Sequence, residues 1–422
     1  MIRHLTVTSV ALVLGVSCFA APGFAPRSLF NGKDLTGWSG GGYVVEDGAI
    51  VCTPAGRELV YHEVFSNYIL EFEFKLPPGG NNGFGIHYPG EGNAAYTGME
   101  IQILDNTHPK YADLKDYQFH GSIYTLAPAA KEGLKPVGEW NQQRVSVLGP
   151  AIKVEINGKI ILRAHLDELN KKFPDHQGAK RRSGHIAWLG HGDRVAFRNI
   201  RITELPPAAN VENVKAKGFK PLFDGETLKG WKTGDPPPAN WYASNGIIKH
   251  TGAKGPVTDL WSTAEFGDFT LVFDWRWAGR GPKVQRPILL PDGSEIKSPS
   301  GKTETLEVEE LDSGIYLRGS SKAQINLWNW PAGSGEIYGY RTDGKMPPEV
   351  RAAATPTENA DLPPGEWNRT MITIKGDVVN VTVNGKHVIR DARLPGVPPR
   401  GPIALQHHGA AIDFANLWIK EE

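Results

Sequence analysis

Alternation with a period of two runs through the whole chain. From Tyr68 to Leu76, Leu70, Phe72 and Phe74 alternate with Glu71, Glu73 and Lys75, and Phe269 to Trp277 does likewise with Leu271, Phe273 and Trp275. Successive side chains point to opposite faces of a strand, so these runs predict half-buried β-strands. Val145 to Ile161 reads as two strands joined near Gly149-Pro150, then a turn at Asn157-Gly158, a dipeptide that favours tight hairpins. Val378 to Val388 repeats the second part around Asn384-Gly385, and one helix is expected, Leu166 to Lys172. In Gly98 to Asn106, Met99, Ile101 and Ile103 point one way while Glu100 and Gln102 point the other. A sandwich strand turns its apolar side to the core, so Glu100 and Gln102 face either solvent or a ligand groove. A carboxylate beside an amide suits a sugar, although alternation alone favours a merely solvated face.

The pattern is written twice. Leu29-Phe30-Asn31-Gly32-Lys33-Asp34-Leu35-Thr36-Gly37-Trp38 returns as Leu222-Phe223-Asp224-Gly225-Glu226-Thr227-Leu228-Lys229-Gly230-Trp231. Ser183 to Ile202 aligns without a gap to Arg400 to Ile419, so His191-Gly192 meets His408-Gly409. Between these ends Glu139-Trp140-Asn141 matches Glu366-Trp367-Asn368, and Ile156-Asn157-Gly158-Lys159 matches Val383-Asn384-Gly385-Lys386. Ordered repeats at this spacing indicate two copies of one domain, 27–205 and 218–422, with a Pro- and polar-rich linker at 206–217. Short strands with regular turn signals make each copy a β-sandwich of jelly-roll type. The second copy carries about thirty extra residues between Gly279 and Glu310, read either as a lid or wall over a groove or as a floppy insert.

Composition narrows the partners. Lys plus Arg and Asp plus Glu each number 46 in 422 residues, so no charge excess draws the chain to nucleic acid or an anionic membrane, and a neutral ligand fits better. Arg3 and His4 followed by an apolar run from Leu5 to Ala20 read as a signal peptide, 1–20, cleaved after Ala20. Export to the periplasm or the medium follows, with no membrane insertion once the leader is gone. A lipid anchor on Cys18 is the lesser reading, because Gly15-Val16-Ser17 lacks the usual leucine. Only Cys52 then remains, so core packing rather than a disulfide must hold the protein together.

Several of these stretches resemble one family. Leu-Phe-Asn-Gly-Lys-Asp-Leu-Thr-Gly-Trp at 29–38, Gly-Met-Glu-Ile-Gln-Ile-Leu-Asp-Asn at 98–106, His-Gly-Ser-Ile-Tyr at 120–124, Gly-Glu-Trp-Asn at 138–141 and Gly-His-Ile at 184–186 are similar to the 3-keto-disaccharide hydrolase domain family, strongly in the first copy and more loosely in the second. The resemblance implies an all-β chain of two tandem concanavalin-like jelly rolls. It also implies activity on glycosides whose C3 hydroxyl has been oxidised to a ketone, the partner being an oxidised glycoside or disaccharide.

Such a substrate sets the chemistry required. A C3 ketone acidifies the hydrogen on C2, so a base can remove it, the C1 leaving group can depart, and water can add afterwards. One base, one donor or metal for the enolate oxygen and one acid for the leaving group suffice. The candidate catalytic residues are Glu100, His120, His191 and Asp105. His87, Gln102 and Tyr124 are expected to bind substrate, although the family more often has Arg where His87 stands, as the second copy does at Arg318. His120 precedes a strand-like run and could be structural, and His191 could simply satisfy the His191-Gly192-Asp193 turn. Asp105 is out of phase with Glu100; it could end the strand, bond the next loop or join a histidine around a divalent metal, although no metal motif of recognisable spacing occurs.

In the second copy Gln324 stands where Glu100 stood, and an amide cannot act as a general base. That copy is expected to bind sugar or complete the groove through Arg318, Gln324, Asn326 and His408, with Trp328 as a stacking platform. Glu310, Asp312 and Arg318 leave a catalytic role there open. It also holds nine of the twelve Trp, most of which core packing should absorb. A lectin-like protein that binds sugar without cleaving it is the alternative.

Overall fold

In the computed structural model, residues 25–207, 217–234, 240–252 and 258–422 are described; the leader read at 1–20 and most of the linker lie outside them. Each copy is a sandwich of an eight-stranded and a five-stranded antiparallel sheet. The five-stranded sheet of the first copy runs Trp38–Gly40, Glu58–Tyr61, His185–Gly190, Asn81–Tyr88, Met99–Leu104, and that of the second runs Trp231–Lys232, Leu260–Phe266, Gly401–Leu405, Asp312–Leu317, Ser320–Trp328. The strand order is therefore the same in both. Leu70, Phe72 and Phe74 from one sheet meet Phe84, Ile101 and Trp188 from the other in one core, and Phe273, Trp275, Ile315 and Ile325 belong to a second.

The repeated motifs hold these sandwiches together. Asn157 and Gly158 both take positive φ, 48° and 83°, as do Asn384 and Gly385, 49° and 83°, which is the geometry that lets a two-residue turn follow the twist of its strands. The Asn157 amide donates to Asn141 Oδ1 at 2.8 Å, and Asn384 donates to Asn368 Oδ1 at the same distance. This explains why Trp-Asn and Asn-Gly recur as a set. The expected helix is present as Leu166–Lys172, with Asp167 and Glu168 in its first turn and Lys171 and Lys172 in its last, the polarity that complements a helix dipole. The insert in the second copy is ordered: Lys283–Pro287 pairs with Thr305–Glu309 as a two-stranded arm.

A buried ionic cluster joins the copies. Arg276, of which 2% is exposed, donates to Glu204 and Asp413 at 2.9 and 2.8 Å and to Ser66 Oγ at 3.0 Å. Lys249 reaches the same Glu204 oxygen at 3.0 Å, and Arg27 reaches the other at 3.1 Å. Glu204 and Ser66 come from the first copy and Arg276, Lys249 and Asp413 from the second. Burial opposes the charge on Glu204, but Lys249, Arg276 and Arg27 together hold its carboxyl down to about 2. No described helix is long and apolar enough to cross a membrane.

Candidate active site

All six residues of Met99–Leu104 are buried, the odd-numbered ones by the core and Glu100 and Gln102 by what stands over the other face. That face is walled by Asn93 to Tyr96, by the chain from Tyr111 to Tyr124 and by the His191 turn, which together leave a groove of 330 Å³. Its size is at the lower end of the roughly 300–1,000 Å³ of small-ligand sites.

Glu100 forms the floor. Its ladder partner is Gly85, and its side chain lies across the next outward position, Gly83, where an added Cβ would come within 2.1 Å of Oε1. Glycine at 83 is therefore what gives the carboxylate its place. Only 5% of Glu100 is exposed, and its Oε1 has no hydrogen-bond partner. His191 Nε2 stands 3.9 Å from that oxygen, beyond hydrogen-bond length but close enough for the carboxylate to raise the imidazole above its ordinary value. The turn carrying His191 is tied to the groove strand, because Asp193 Oδ2 accepts the Asn81 N–H at 3.0 Å. Gln102 donates to Asn81 Oδ1 at 3.3 Å, and Tyr124, edge-on to Tyr96 and Tyr117, completes a polar and aromatic wall.

Of the residues singled out in the first copy, the groove therefore gathers Glu100, Gln102, Tyr124 and His191, and it leaves three aside. His120 is fully buried against Phe74, its Nδ1 accepts the Leu104 N–H at 3.4 Å, and burial pushes it down to about 3, so it stays neutral. In the second copy Ser334 Oγ does the same for Trp328 N, which marks the position as structural. His87 is likewise buried and pushed down to about 3 by burial and by Arg182. Asp105 holds the loop that follows it and the Gly79 turn, its oxygens accepting from Gly79 N, Thr107 N and Thr107 Oγ1 at 2.8, 3.0 and 2.6 Å. These bonds draw its carboxyl below the usual range even though burial opposes them. Among the described residues no group of three or more His, Cys, Asp or Glu side chains is placed to hold a metal ion.

The second copy has its own groove, 240 Å³, lined by Gln324, Asn326, Gln406, Tyr338 and His408. Gln324 donates to Asn326 Oδ1 and Gln406 Oε1 at 2.6 and 2.8 Å. Two expectations for this groove change. Arg318 lies away from it, 1% exposed, bonded to the carbonyls of Gly267 and Gly376 and to Asp268 at 2.6–2.7 Å; its five donors suit a clamp on converging loops. Trp328 lines the groove but is fully buried, with Trp330 stacked on it at 4.0 Å, so the partly open ring is Trp330. Arg286 from the inserted arm lies over Trp330 at 4.5 Å and is held by Glu310, so the arm is a wall of the groove.

Glu58 and Asn81 in the first groove, and Arg286 and Trp330 in the second, were missed by sequence reading. The signal for Asn81 was present: Asn81, Gly83 and Gly85 form a polar and small face opposite one that carries Phe84 and Ile86. Glu58 carries no such mark, because it reaches the groove through the pairing of Leu189 with its own strand.

A family model described as the 3-keto-alpha-glucoside-1,2-lyase-like domain matches residues 25–203 and again 218–420. A 3-keto-disaccharide hydrolase from Bacteroides thetaiotaomicron is 30% identical over 227 residues, 42% of this chain and 78% of that protein. The crystal structure of a protein from Parabacteroides distasonis, named as a candidate glycosyl hydrolase, is 26% identical with a TM-score of 0.39, covering 43% of this chain and 94% of that one. The carbohydrate-binding module CBM66 from Bacillus subtilis is 11% identical with a TM-score of 0.29, covering 40% and 96%.

Proposed function

Since the chain belongs to the family of 3-keto-alpha-glucoside-1,2-lyase-like domains and carries two of them in tandem, we propose that it is an exported enzyme whose first groove cleaves 3-keto-glycosides. The observation that carries this reading is Glu100, a mostly buried carboxylate with an unpartnered oxygen, opening on a sugar-sized groove beside an imidazole whose pKa it raises.

Glu100 takes the hydrogen on C2, which the neighbouring ketone acidifies. The C2–H electron pair forms the C1–C2 double bond, the C1–O bond breaks, and the departing oxygen takes a proton from His191. Asn81, Gln102 and Tyr124 hold the sugar and supply hydrogen-bond donors to the oxygens that gain charge. Water then adds, its oxygen to C1 and a proton from Glu100 to C2, and the remaining proton restores His191. Stopping before the addition gives a lyase and completing it gives a hydrolase, so this pathway accommodates both of the names found among the relatives.

The test is incubation of the mature protein with a chromogenic 3-keto-glucoside and with its unoxidised parent, in D₂O, with and without chelator. Release from the keto compound alone, deuterium at C2 of the product, and a fall in both in Glu100→Gln are expected. Release that survives E100Q undiminished removes Glu100 as the base. Binding without release from either compound would make the protein a lectin, and chelator sensitivity would bring in a metal.

A further inference from the structure

The grooves of the two copies differ by an exchange of residues between neighbouring strands. Gly83 pairs with Gln102 in the first, and Gly314 pairs with Asn326 in the second, so Glu100 corresponds to Gln324 and Asn81 to Asp312. An added Cβ on Gly314 would meet Gln324 Nε2 at 2.6 Å, as one on Gly83 would meet Glu100. The carboxylate lost from one strand is thus present on the other. The amide has gone the opposite way.

The histidine follows the carboxylate. His191 and His408 occupy the same turn, but His191 presents Nε2 to Glu100 at 3.9 Å, whereas His408 presents Nδ1 to Asp312 Oδ2 at 3.5 Å. Asp312 keeps 15% of its side chain exposed, and its Oδ1 has no hydrogen-bond partner, as Glu100 Oε1 has none. Asp274, by contrast, accepts from Arg369 through both oxygens and from Asn416. Asp312 also lies where the 240 Å³ groove meets a cleft of 660 Å³ between the copies, lined by His62 and Glu63 of the first and by Arg280 and His408 of the second. Burial raises its carboxyl to about 6, with His408 opposing and Glu310 adding to the rise, so it exchanges protons near neutral pH.

We propose that the second groove is a separate catalytic site for 3-keto-glycosides, in which Asp312 removes the C2 proton and His408 protonates the leaving oxygen. This rests on the chemistry assigned to the first groove, with the base supplied from the adjacent strand. The C2–H pair becomes the C1–C2 double bond, the C1–O pair leaves with the departing oxygen, and water adds across the double bond with return of both protons. Trp330, held under Arg286, offers the sugar a ring face.

The full mature chain is made as wild type, E100Q, D312N and the double variant. Each is given an aryl 3-keto-glucoside and a 3-keto-disaccharide in D₂O, with release and deuterium at C2 as readouts. Each single variant is expected to keep part of the release and exchange on at least one substrate, and the double variant to lose at least about 100-fold, the scale of a missing general base. If E100Q alone falls to the level of the double variant on both substrates while D312N matches wild type, the inference is overturned and the first-groove reading stands. A wild type inert in both readouts overturns both. Should D312N fail to fold, H408Q in the E100Q background replaces it: loss of the residual release supports the site, and unchanged release rejects it.

Discussion

Glu204→Gln tests how the two copies are held beside the cleft. Three cations converge on this carboxylate, Arg276 and Lys249 from the second copy and Arg27 from its own, and they hold it at about 2 against an ordinary 4.5. A group whose pKa is depressed on folding contributes stability that is fully present above its unfolded value and is lost as pH falls through the folded one. The window is therefore about 4.5 down to about 2, and the shift corresponds to about 3 kcal/mol at neutral pH. The independent expectation for breaking a buried ion pair is about 3–5 kcal/mol, since Arg276 and Lys249 would be left with Asp413 alone. Urea unfolding of wild type and E204Q between pH 2 and 7 should give a difference of about 3 kcal/mol at pH 7 that shrinks toward zero near pH 2. Calorimetry of E204Q should show the copies melting less as one unit. A difference below about 1 kcal/mol, or one that does not change with pH, would refute the cluster as an electrostatic lock.

Gly83→Ala should displace the Glu100 side chain, since the new Cβ would lie 2.1–2.8 Å from its outer atoms; measured in the D312N background, kcat/KM on a 3-keto-glucoside should fall about 100-fold, with little change in melting temperature. NMR titration of His191 should give a pKa above the ordinary 6.5 in wild type and below it in E100Q, because the carboxylate raises the imidazole while burial lowers it; an unchanged value would separate the two groups. His120→Ser imitates the second copy, where Ser334 caps the same strand, and should cost about 1–3 kcal/mol in chemical denaturation while leaving kcat/KM within about threefold. A collapse of turnover in H120S without loss of stability would return His120 to the chemistry.

The reach of the sequence is seen most clearly in Met99–Leu104 and in the repeats. Period-two alternation told which side of that strand carries Glu100 and Gln102, because a strand has two faces and the apolar one must be buried. The ordered repeats gave two copies and hence two like sandwiches, and Asn157-Gly158 with Asn384-Gly385 gave their hairpins. Tertiary structure decided which polar residues share a groove. His87, His120, Asp105 and Arg318 are as polar in sequence as His191, but whether such a group meets ligand or satisfies a backbone N–H or carbonyl depends on partners from distant strands and loops. Alignment of the copies also suggested that the second had lost its carboxylate, since it compares each strand with its equivalent. Asp312 lies on the strand alongside, and only the ladder that pairs Asp312–Leu317 with Ser320–Trp328 shows it next to Gln324's groove and beside His408.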